Sequence, residues 1–347
     1  MTVRISLAII ILAGILTMTI ADSVMATERN FWTQSLYFEN DLFTGTDQNY
    51  SNGVKVSFIS PDLSPHAENG KLPRKLLEAI HQIPFIRESG PQFTHKVEFS
   101  IGQNIYTPND ISKHTLIPED RPYAGWLYAS TSYHRKNIVN NVAEFMDTVE
   151  AQFGMVGPAS FGEDTQKFVH KVFDRPHPNG WNNQLDNEPG LVIAFERKWL
   201  FHPGLTGIGY DVITHLGGAV GNVHTYLNSG LEIRLGWNIA RNFGVSLIRP
   251  AGSTKLSVDD AFSSYIFGAV NGRAVLHDIF LDGNTFADSH SVEKKNFYAD
   301  LAGGITISYK KMTLTWTQIM RTREFKNQKN KHIFGALSLT FHFPVFE

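Results

Sequence analysis

The sequence predicts an all-β fold: a closed, antiparallel transmembrane β-barrel of about twelve strands, with a short helix in one extracellular loop. Three observations carry that expectation. Apolar and polar residues alternate with period two through most of the chain, which places them on opposite faces of strands. The alternating segments run to ~10–14 residues, longer than the ~5–6 usual in soluble strands and suited to the ~9–11 that cross a bilayer at a tilt. Charged residues make up only 18% and aromatics reach 12%, where soluble domains carry about 25% charge. A barrel resolves that mixture, because apolar and aromatic residues face lipid while polar residues fill the lumen. The sheet must also close, since no backbone N–H or C=O can go unpaired inside a membrane.

The elements follow in order. Met1–Arg4 is basic, Ile5–Ala21 is apolar, and Val24-Met25-Ala26 offers a cleavage site before Thr27. Residues 1–26 therefore read as a secretory signal peptide and 27–347 as the barrel. Candidate strands lie near 32–41, 50–60, 94–106, 123–135, 145–157, 189–201, 208–221, 224–239, 265–281, 294–309, 311–324 and 330–343. In the second, Val54, Val56 and Phe58 alternate with Lys55 and Ser57. In the third, Val97, Phe99 and Ile101 alternate with Lys96, Glu98 and Ser100. An even number returns both termini to one side. With the N-terminus in the periplasm, connections after odd strands are extracellular. Residues 61–93 are long for a periplasmic turn and contain an amphipathic stretch, Leu72–Ile83, so they read as a periplasmic insertion. In the extracellular loop 158–188, the stretch Glu163–Phe173 reads as a helix with Phe168, Val169, Val172 and Phe173 apolar and His170 beside them.

Composition also excludes several functions. A net charge of −2 argues against a nucleic-acid binder. The absence of Cys removes thiol catalysis, disulfides and Cys-held zinc. The sequence has no Gly-x-Ser-x-Gly elbow, His-Glu-x-x-His helix or phosphate-binding Gly loop.

The polar motifs gather at the extracellular ends of the strands. They are Glu39-Asn40-Asp41, Tyr50-Ser51-Asn52-Gly53, Tyr106-Thr107-Pro108 through Lys113-His114, Asp120-Arg121-Pro122-Tyr123-Ala124-Gly125-Trp126, and His170 with Trp181-Asn182-Asn183-Gln184. Each residue has a plain reading. Asn40, Asp41 and Asn52 suit turns; Asp120 and Arg121 suit a surface ion pair; Lys113 and His170 suit solvated positions. As a set, Asn40, Asp41, Ser51 and Asn52 offer the hard oxygen donors that calcium uses. A histidine is the natural general base for activating water near neutral pH.

In these motifs, together with Gly154-Met155-Val156-Gly157-Pro158, the sequence resembles the outer-membrane lipid A 3'-O-deacylases of Gram-negative bacteria. The resemblance covers essentially the whole mature chain. It implies a calcium-dependent ester hydrolase of the outer membrane that removes the 3'-linked acyloxyacyl chain of lipid A. The site would lie between the barrel wall and a loop helix. His170 would be the general base, Asn40 and Asp41 would hold Ca2+, and Ser51 would position the reacting groups. Lys113 and Arg121 would meet lipid A phosphates. Two departures stand out: the family's acidic residue after the histidine corresponds to Pro176, and an Arg beside the family lysine is His114. Two other functions fit the same scaffold, an outer-membrane phospholipase and a non-catalytic channel. Inward Lys55, Lys96, Glu98 and His342 would obstruct a channel. The expected partners are lipopolysaccharide and outer-membrane lipids, with the chain a monomer.

Overall fold

Period-two alternation becomes strand pairing throughout the barrel. The strands are β1 (Phe31–Asn40), β2 (Asn49–Ile59), β3 (Phe93–Thr107), β4 (Ala124–Asn140), β5 (Ala143–Val156), β6 (Glu188–Phe201), β7 (Ile208–Gly221), β8 (His224–Trp237), β9 (Ser263–Asp278), β10 (Phe297–Tyr309), β11 (Met312–Arg321) and β12 (His332–Pro344). Each pairs antiparallel with the next, and β1 closes on β12 from Phe31↔Pro344 to Asn40↔Gly335. The computed structural model describes residues 31–41, 49–64, 92–140, 143–203, 207–253 and 261–344, with positions 75, 78, 82 and 90. The expected signal peptide lies outside the described residues, as does nearly all of the expected 72–83 helix. Among the described residues no helix is long and apolar enough to cross a membrane.

The two faces divide as the alternation requires. On β3, Phe99 and Ile101 are exposed outward, while Lys96, Glu98 and Ser100 are buried inward. Phe201, Tyr210, Trp237, Phe262 and Tyr309 are exposed where β6 to β10 meet their periplasmic turns, an aromatic belt at the interface. Most periplasmic connections are short. The β2–β3 segment begins with a local anchor: the Asp62 carboxylate accepts the backbone N–H groups of Ser64 and His95, both at 3.0 Å.

The β8–β9 connection, residues 238–262, is the large surprise. Instead of turning beneath the barrel, its described part enters the lumen and is held there by inward glutamates of five strands. Ile248 N–H donates to Glu39 (2.6 Å), Ala251 N–H to Glu150 (2.6 Å) and Val245 N–H to Glu232 (2.9 Å). The Ser253 hydroxyl donates to Glu98 (2.8 Å), and the Arg249 guanidinium forks onto Glu196 at 2.7 and 3.0 Å. Phe243 closes the periplasmic mouth against Ile59, Met146, Leu200 and Ile213. In a desolvated lumen these carboxylates need donors, and the plug supplies them. The expected obstruction by Lys55 and Glu98 is present as an ion pair at 3.2 Å, but the main filler is this segment.

Candidate active site

The helix expected in the long extracellular loop forms as α1 (Gly162–Phe173), preceded by a 3-10 turn at Pro158–Ser160. A four-residue helix, α2 (Ile279–Asp282), sits in the β9–β10 loop. Strand parity places α1 on the outside of the wall. Trp126 and Tyr128 of β4 point into the lumenal core with Tyr226, so Gly125 points outward. A Cβ on Gly125 would stand 2.0 Å from Ser160 Oγ and 3.1 Å from the Gly162 Cα. The loop thus lies directly against the outer wall at a position where only glycine fits. Gly157 turns the chain into this loop at φ 91, with the Asp186 carbonyl 2.5 Å from where a Cβ would be. Outward Gln103 of β3 donates to the Ser160 carbonyl at 2.6 Å. A small apolar cluster outside the barrel, Ile105, Ile111, Tyr123 and Trp181, completes the seat. Gly125→Val should displace α1 without opening the barrel. Activity should fall by about 100-fold, the scale of a small misplacement, while the heat-modifiable gel shift persists. Retained activity would contradict the seat.

The two faces of α1 differ sharply. Phe168 is 67% exposed, and Phe161 and Val172 are also exposed, on the side away from the wall. Gln166 and His170, four residues apart, share the buried side. Trp181 Nε1 donates to Gln166 Oε1 at 2.8 Å, which fixes the helix rotation. The helix ends at Asp174 in the left-handed region (φ 54), and Arg175 N–H returns to the His170 carbonyl at 2.9 Å. That reversal brings the Pro176 carbonyl to 2.5 Å from His170 Nδ1. Nδ1–H donates to it, so Nε2 carries the lone pair. Nδ1 thus meets a backbone carbonyl at Pro176, the position where the resemblance implies an acidic residue. Sequence motifs could not reveal it, because a main-chain oxygen has no residue signature.

The outer-wall patch lies on the neighbouring strands. A β-bulge between Tyr50 and Asn52 breaks the alternation of β2. Tyr50 stays inward against Tyr106 and Phe334. The Ser51 hydroxyl meets outward Thr107 Oγ1 at 2.6 Å. Asn40 pairs with Asn52 across β1–β2, and its Nδ2 donates to Asn52 Oδ1 at 3.1 Å. Asn40, Asp41, Ser51, Asn52 and Thr107 are all buried. Thr107 sits two residues beyond Ile105 on β3, and Ile105 packs with Trp181, the partner of Gln166. The patch and the helix that carries His170 therefore both pack on the outer side of the wall near the extracellular ends of the strands.

Lys113 is exposed on the β3–β4 loop. Loop-to-loop bonds hold this region: Asn179 Nδ2 to the Ser112 carbonyl (3.1 Å) and Asn183 Nδ2 to the His114 carbonyl (2.8 Å). Arg121 requires a correction. Expected as a phosphate contact, it is 1% exposed and forms an ion pair with Glu324 at 2.7 Å. Its guanidinium also lies over the rings of Tyr106 and Phe325. It ties the β3–β4 loop to the β11–β12 loop instead of reaching solvent. Burial acts to raise the pKa of Glu324, but the guanidiniums of Arg121 and Arg321 bring it below the usual carboxylate value. Its stabilising contribution is therefore present above the unfolded value near 4.5 and lost as pH falls through the lower folded value. Arg121→Ala should cost up to about 3 kcal/mol by leaving the buried Glu324 carboxylate with Arg321 alone at 3.4 Å. A urea titration in micelles checks this, and an unchanged midpoint would refute the lock.

A family model described as outer membrane protein LpxR matches residues 7–343. Among solved structures, LpxR from Salmonella typhimurium is similar, with TM-score 0.70 and 17% identity over 90% of this chain and 100% of that one. The β domain of the Bordetella autotransporter BrkA aligns at TM-score 0.45 with 8% identity, covering 91% of this chain and 100% of that one. A comparison with curated protein sequences finds no match.

Proposed function

Because the chain belongs to the LpxR family of outer membrane proteins, we propose that it is a hydrolase of the outer membrane that removes the 3'-linked acyloxyacyl chain from lipid A. One observation supports the reading: a buried histidine, held through Nδ1 on a helix seated against the outer wall, shares the extracellular rim with buried Asn40, Ser51 and Asn52. Acyl chains can then remain in the bilayer while only the ester rises to the rim.

His170 Nε2 takes a proton from water, whose oxygen attacks the ester carbonyl. The bond to the sugar oxygen breaks, and the proton passes from His170 to that leaving oxygen. The Pro176 carbonyl stabilises the imidazolium in between. Ser51, tethered by Thr107, positions the reacting groups, and exposed Lys113 meets a lipid A phosphate. The donor set fits calcium: a carboxylate from Asp41 and an amide oxygen from Asn40 are hard ligands, with hydroxyl oxygens close by. Among the described residues no group of three His, Asp or Glu gathers as a metal cluster, so amide, hydroxyl and water oxygens would complete the shell. When bound, the ion supplies positive charge to the developing oxyanion.

The plugged lumen counts against a passive channel. Fatty-acid release from lipid A micelles, compared with glycerophospholipid vesicles, tests the substrate class. Release from lipid A alone is expected. Release from glycerophospholipid alone would replace this reading with a phospholipase.

A further inference from the structure

The lumen plug and the outer-wall site meet back to back at the top of β1 and β2. Glu39 and Asn40 are consecutive, so their side chains leave β1 on opposite faces. Inside, Glu39 accepts the Ile248 N–H at the summit of the plug. Outside, Asn40 holds Asn52. Across the register, Glu39 faces Gly53, and a Cβ there would be 1.9 Å from Tyr50 Oη and 3.1 Å from Ile248 Cδ1. Tyr50 and the plug tip therefore converge over Gly53, directly behind the bulge that turns Ser51 and Asn52 outward. The site residues stand on the last residue of one strand and the bulged first residues of the next. Such positions are the loosest in a sheet. The cavity behind them, about 40 Å³, is lined by Glu39, Tyr50, Tyr106, Ile248 and Arg249 among others, so it admits only a few waters.

We propose that the plug positions the outer-wall site, and that Glu39 is the positioning residue that couples the two. The four other plug glutamates stand on β3, β5, β6 and β8, away from the β1–β2 ends, and bond the segment there. The Glu39 bond at the summit instead constrains the strand ends from the lumen side. This inference rests on the proposed lipid A hydrolysis for its kinetic consequence, but not for its structural one.

The test uses full-length protein in detergent micelles, comparing wild type with Glu39→Ala, Glu39→Gln and, as a control for plug loosening away from β1, Glu150→Ala. Two measurements are made: backbone hydrogen exchange in residues 38–53, and kcat and KM on lipid A. Glu39→Ala should speed exchange at 40–41 and 50–52 at least ~10-fold and lower kcat ~10–100-fold with KM little changed. Glu39→Gln keeps an oxygen acceptor for the Ile248 N–H and should restore most of both. Glu150→Ala should change neither by more than ~3-fold. Unchanged exchange in Glu39→Ala would overturn the coupling, as would equal defects in Glu39→Ala and Glu39→Gln, or in Glu39→Ala and Glu150→Ala. A wild type that exchanges as expected and responds to Glu39→Ala, yet cleaves no lipid A, would remove the proposed function and leave the coupling standing.

Discussion

His170→Ala should lower release of the 3' acyl chain by about 10²–10⁴-fold, the usual contribution of a general base, while the barrel folds and migrates as wild type. The expectation follows from location. His170 lies on a loop helix outside the barrel, and its ring bonds to the Pro176 carbonyl of the same loop. Removing the imidazole leaves the β-ladders of the wall unbroken, so a catalytic loss can be separated from a folding loss. Loss of the gel shift together with activity would leave the assignment unsupported, and full activity would exclude it.

The second large effect belongs to the oxygen donors. Asn40→Ala removes the bond to Asn52 and a proposed calcium ligand, and Asp41→Ala removes the neighbouring carboxylate proposed beside it. Each should depress activity by at least ~10²-fold, comparable to losing an oxyanion stabiliser. Excess chelator on the wild type should reproduce the loss, and added calcium should reverse it. Full activity in chelator would eliminate the metal while leaving the histidine chemistry intact. A loss that calcium does not reverse would point to damage in the wall, not to an emptied site.

The barrel was legible because its signal is repeated. Val54, Val56 and Phe58 on β2, or Phe99 and Ile101 on β3, each reveal a face, and the same rule holds around the ring. The helix carrying His170 was legible from its apolar spacing. The rim placement of the polar motifs followed from strand direction alone. Which side of the wall they face was harder. Ser51 reaches Thr107 through a bulge, and a one-residue irregularity inverts any parity count. Arg121 misled for a related reason. Asp120 and Arg121 are adjacent in sequence, yet the partner of Arg121 is Glu324, on a loop 203 positions away. The plug was invisible as a segment, because residues 238–262 show no sustained period-two or helical pattern that marks an element. Its trace lay in the wall: Glu39, Glu98, Glu150, Glu196 and Glu232 all point inward. So many lumenal carboxylates require donors that the strands do not fully provide.

The central claim is ester cleavage on lipid A at the lipid-facing rim. The most direct measurement is the mass spectrum of lipid A from Gram-negative cells that express the chain, beside cells that express His170→Ala at equal outer-membrane levels. Loss of one acyloxyacyl group, mapped by fragmentation to the 3' position, is expected in the first and intact lipid A in the second. Unmodified lipid A in both, with the protein folded in the outer membrane, would contradict it.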